Sequence, residues 1–123
     1  MNLIETAEAY KNGAEIVASW LGTGGNTVSR DAAQVRADVC LKCPHNIDSV
    51  SIPSQFAKTL KIAVEIKNWQ RLRVSGEKRL HICDACLCHL PTKVWVPIDH
   101  IAGHTRPEEM PAGCWVANEL ENL

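Results

Sequence analysis

A chain of 123 residues with 46% hydrophobic residues has the size and apolar content of one domain with a modest core, which excludes an intrinsically disordered polypeptide. Its formal net charge of -1 points by itself to no partner. Only one Phe and one Tyr accompany the four tryptophans, so Trp20, Trp69, Trp95 and Trp115 are expected to supply much of the large buried surface.

Charge is nevertheless segmented along the chain. Residues 58–79 carry seven Lys and Arg against Glu65 and Glu77, whereas residues 98–123 set Arg106 against five acids. The N-terminus has no basic region followed by an apolar run, and no stretch approaches the roughly 18 uncharged apolar residues of a membrane span. A cytoplasmic, non-membrane protein is therefore expected, in a compartment where disulfides are disfavoured.

In chain order, residues 2–21 repeat Leu3, Ala7, Tyr10, Ala14, Val17 and Leu21 at three- and four-residue steps, which predicts an amphipathic helix. Gly22 to Gly25, GTGG, is a helix stop and elbow. Ser29 is placed to cap a second helix running to about Val39, directly ahead of Cys40. A third helix is expected over 54–74, with Phe56, Leu60, Ala63 and Val64 on its apolar stripe and Ser75-Gly76 at its end. Beyond it, KVWVP has the alternation of a short strand, and WVANELENL forms a terminal helical turn. The expected fold is thus mainly α, three helices with a small irregular zinc module containing a short β element. Residues 1–25 form the N-terminal helix and Gly-rich elbow, and residues 26–123 the zinc-binding domain.

The chemistry-bearing feature is cysteine. Two C-x2-C pairs, Cys40/Cys43 and Cys83/Cys86, are separated by 39 residues, and Cys88 and Cys114 follow. A C-x2-C turn sets two thiolates on one side of a tight loop, and two such turns complete a tetrahedral site. A thioredoxin-like redox motif needs one pair in a βαβ context, and the common iron–sulfur spacings differ from these. Zinc is the expected ion, one or two per chain, with Cys40, Cys43, Cys83 and Cys86 as ligands; a single four-thiolate site leaves two cysteines over, whereas in a binuclear site Cys88 and Cys114 join them. Two tetrahedral sites need eight ligand bonds, which six cysteines supply if two thiolates bridge, or if histidines such as His45, His89, His100 or His104 take part.

The order C-x2-C, C-x2-C-x-C, a following Lys and a last Cys next to Trp resembles that of small cysteine-rich zinc-binding proteins of unknown function found in bacteriophage and prophage genomes. The matching residues are Cys40, Cys43-Pro44, Cys83, Cys86, Cys88, Lys93, Cys114 and Trp115, across roughly residues 36 to 116. The relatives often end in CP-x-x-x-W where this chain has CW. The resemblance implies a phage-borne zinc protein from a virion or assembly region, without known chemistry.

Three function classes follow. The leading expectation is a non-enzymatic, zinc-stabilised interaction or structural protein that binds a protein partner or a second copy of itself. The alternative is weak, electrostatic nucleic-acid binding through Lys58, Lys61, Lys67, Arg71, Arg73, Lys78 and Arg79 with Trp69 among them. An HNH-like nuclease is suggested by Asp99-His100-Ile101 and Asn118, but no histidine after His104 completes its set.

Overall fold

The computed structural model describes residues 15–47, 54–83, 88–111 and 113–123. Cys86 and most of the predicted first helix lie outside them. Six α-helical segments occur among the described residues: α1 (15–22), α2 (Arg30–Leu41), α3 (Ser54–Trp69), α4 (Leu90–Lys93), α5 (Ile98–Ala102) and α6 (Trp115–Glu121). Two short strands, β1 (Asn46–Ile47) and β2 (Ile82–Cys83), pair antiparallel. The chain is mainly helical with a small two-stranded sheet.

The described part of α1 belongs to the same core as the rest. Ile16, Val17 and Trp20 are buried, Trp20 completely, while Leu21 is half-buried. Its inner face is thus centred on Ile16 and Trp20, to one side of the predicted Val17–Leu21 stripe. Gly24 and Gly25, at φ 91° and 71°, end the helix by donating their N–H groups to Leu21 and Trp20 carbonyls. The elbow then folds back under Trp20, whose indole N–H donates to the Asn26 carbonyl.

In α2 the cap is as predicted. Ser29 has extended backbone, and its hydroxyl accepts from the Ala32 N–H at 3.1 Å. Ala33, Ala37 and Cys40, one above another on the inner face, keep this helix close to the core.

The third helix stops earlier than expected, at Trp69 rather than near residue 74. Its end is a Schellman motif: Leu72 N–H donates to the Lys67 carbonyl at 2.9 Å, and Arg71 N–H to the Asn68 carbonyl at 3.1 Å. The left-handed position is filled by Arg71, φ 59°, where glycine is usual. That substitution for glycine costs roughly 1 kcal/mol, and nothing in its local composition announces a helix stop.

The strand predicted at KVWVP is also corrected. Residues 90–93 form α4, with Pro91 in its first turn, and a turn continues through Val96, whose N–H donates to the Lys93 carbonyl at 3.0 Å. Thr92 through Val96 are all buried. An apolar alternation there carries no inside–outside meaning, because both faces of the segment meet core.

One buried cation ties these layers together. Arg36 of α2 donates from Nε and Nη2 to the two carboxylate oxygens of Glu119 on α6, at 2.8 and 2.6 Å, and from Nη1 to the carbonyls of Val94 and Val96. Its guanidinium also lies 4.3 Å from the Trp115 ring centroid. Helices α2 and α6 are thereby fixed across the turn that follows α4.

Candidate metal centre

Cys40 sits in the last turn of α2 and is buried. The chain then turns sharply, with Cys43 N–H donating to the Cys40 carbonyl at 3.0 Å and Asn46 N–H to the Cys43 carbonyl at 3.2 Å. This returns it directly into β1, where Asn46 is the partner of Cys83 on β2. The two cysteine motifs, distant in sequence, are therefore adjacent because a two-residue strand pair starts three residues after one and includes the first thiol of the other.

The side chain of Asn46 fixes that register a second time. Its Oδ1 accepts from the His81 N–H and its Nδ2 donates to the Arg79 carbonyl, both at 2.8 Å. On the far side of β2, Cys83 N–H donates to the Cys88 carbonyl and Leu90 N–H to the His81 carbonyl, so residues 81–83 and 88–90 run antiparallel.

Four cysteines border one space. A cavity of about 230 Å³ is lined by Cys40, Cys43, Cys83 and Cys114, together with Lys93 and Trp115. Cys114 reaches it from the N-cap position of α6. Cys88 is buried nearby but does not line the cavity; its sulfur accepts from Lys93 Nζ at 3.2 Å. Cys40, Cys43, Cys83, Cys88 and Cys114 are all thiols outside any disulfide. Among the described residues no three His, Cys, Asp or Glu side chains are grouped as tightly as one ion would require.

The surroundings of the sulfurs carry positive charge and N–H donors. The Trp115 indole donates to Cys40 Sγ at 3.2 Å, Lys93 Nζ lies 6.0 Å from the same ring, and Arg36 covers it. Burial pushes the Cys40 thiol up to about 11, partly offset by the Trp115 hydrogen bond; Cys114 and Cys43 raise it further and Lys93 lowers it. Together the cysteines lining the cavity form a soft donor set that a thiophilic cation would draw into the thiolate state.

His100 engages the Ser19 hydroxyl through Nδ1 at 2.8 Å and the Thr23 hydroxyl through Nε2 at 3.1 Å, and His104 Nδ1 lies 3.3 Å from Glu15. Both ring nitrogens of His100, on α5, thus meet hydroxyls of α1 and of the turn that follows it. Asn118 is exposed, with its side-chain oxygen facing Asn122. His89 pairs with Thr92, and neither His45 nor His81 lines the cavity. Comparison with known protein families, curated proteins and solved structures finds no match to this chain.

Proposed function

We propose that this protein is a non-enzymatic, zinc-stabilised interaction module. The observation that carries the reading is the convergence of Cys40, Cys43, Cys83 and Cys114, from three separate stretches of chain, on one cavity bordered by a buried lysine. Cys86, the partner of Cys83 in its C-x2-C, lies outside the described residues; it and Cys88 are the further ligands that the sequence pattern offers, for one or two ions. Thiolate-rich sites of this type are closed and structural, and the ion contributes folding free energy directly. A fold with two-residue strands and short helices gains most from such a cross-link, which offsets the entropy cost of closing the 39-residue loop between the cysteine pairs. The resemblance of the cysteine pattern to phage-borne proteins makes a virion or assembly component the fitting role, with a protein partner or a second copy bound on the exposed surface.

Elemental analysis combined with native mass spectrometry tests this. Protein purified without chelator should carry one or two zinc ions per chain, and Cys40→Ser and Cys114→Ser should each lower that occupancy. A strong chelator should unfold the chain. Metal-free protein whose melting does not respond to added zinc would overturn the reading.

A further inference from the structure

The end of α3 lies outside the cysteine-lined cavity and combines three features that the metal reading does not use. Trp69 is 82% exposed, the most exposed of the large hydrophobic side chains among the described residues, so a ring that would stabilise the core is held in water. Lys61, Arg71, Arg73, Lys78 and Arg79 are all exposed, and the acid that could balance them, Glu77, is already taken by the buried Lys67. Between residues 60 and 79 only Glu65 remains as an exposed acid. The third feature is backbone geometry: Arg71 occupies the left-handed position of the Schellman motif, two residues beyond Trp69. Glycine would satisfy that position without strain, so the guanidinium is displayed there at a conformational cost.

We propose that this end of α3 is a platform for a single-stranded polynucleotide, with Trp69 stacking on a base and Arg71, Arg73 and their neighbours on the phosphates. An exposed aromatic ring beside a positive track is the chemistry that single strands need, because unpaired bases offer π-faces and the backbone offers closely spaced anions. Guanidinium groups suit phosphate oxygens bidentately. Duplex DNA, with its bases stacked inside, would leave the ring unused. An anionic membrane would use the charges, but one ring with the partly exposed Ile62 offers little apolar area to insert.

The test uses the full chain as purified and a fluorescently labelled oligothymidine, read by anisotropy at low salt. Binding should be micromolar and should weaken steeply with salt. Trp69→Ala, a surface change, should weaken it about tenfold. Arg71→Gly should weaken it several-fold and reduce the log–log salt slope by about 0.7, while raising the melting temperature, which separates lost contact from lost fold. No binding at low salt, equal affinity of Trp69→Ala and the parent, equal affinity for duplex, or preferential binding to phosphatidylserine vesicles would each overturn the proposal. Because this face does not line the cavity, zinc content should be the same in both variants whichever way binding falls.

Discussion

The indole N–H of Trp115 points at the sulfur of Cys40, 3.2 Å away, so the first residue of α6 is joined to the last turn of α2 at the cavity wall. The same ring is covered by Arg36. Trp115→Phe keeps a ring for the guanidinium and removes the N–H; the expected loss is about 1 kcal/mol, read as a lower urea midpoint. Trp115→Ala removes ring and donor together and should cost about 3–5 kcal/mol. Equal losses in the two variants would show that the sulfur contact, not the ring, holds α6.

Arg36 is the second expected weak point, since its guanidinium makes four hydrogen bonds while almost fully buried. Arg36→Ala strands two carbonyls and a carboxylate and should cost about 3–5 kcal/mol. Arg36→Lys keeps the charge, but a single ammonium cannot span Glu119 and the Val94 and Val96 carbonyls, so it should lose most of that stability too. Glu119 is a third exposed, so Glu119→Gln should cost only about 1 kcal/mol. Urea denaturation of the three variants checks the order.

How far the sequence foretold this arrangement depends on what each signal reports. The Ser29 cap, the helix after it and the Gly24–Gly25 stop are local chemistry, and they stand where expected. The earlier end of α3 was hidden because Arg71 sits where glycine would have marked the stop. KVWVP misled because its alternation reflects complete burial rather than one buried face. At the cavity, the spacing of the cysteines marks them as a group, but it does not say which of them face one space: Cys40, Cys43, Cys83 and Cys114 line it and Cys88 does not. Arg36 was not readable at all: a charged residue within a polar helical stretch looks solvated until α6 supplies Glu119 and Trp115, 79 or more residues later.

His89 gives a pH test. Burial first, then the Lys67 charge, lowers it from 6.5 to about 4. The unfolded chain takes up this proton near pH 6.5 and the folded chain only near 4, so between those values the unfolded state binds more protons. Stability is therefore full above about pH 6.5 and falls as the pH drops towards 4, by up to about 3 kcal/mol. Other groups titrate in the same range, so the measurement is the difference between the parent and His89→Gln. The parent's urea midpoint should fall more steeply from pH 7 to 4.5; parallel curves would show that His89 is protonated in the fold.

Lys93 separates a charged site from an ordinary core. The side chain is 2% exposed, lines the cavity and donates to Cys88, although a buried ammonium is costly unless negative charge compensates it. Thiolates gathered by an ion add negative charge beside the ammonium that neutral thiols do not. Lys93→Met supplies an apolar chain of similar length, so the two situations give different results. If the cavity holds thiolates, Lys93→Met should release zinc to a competing chelator at about tenfold lower chelator concentration and lower the melting temperature of the zinc-loaded protein. If the thiols stay neutral, zinc release and the rise in melting temperature on adding zinc should be the same in Lys93→Met as in the parent. A competition titration and a melting curve on one variant therefore distinguish a metal-charged cavity from a cysteine-lined core.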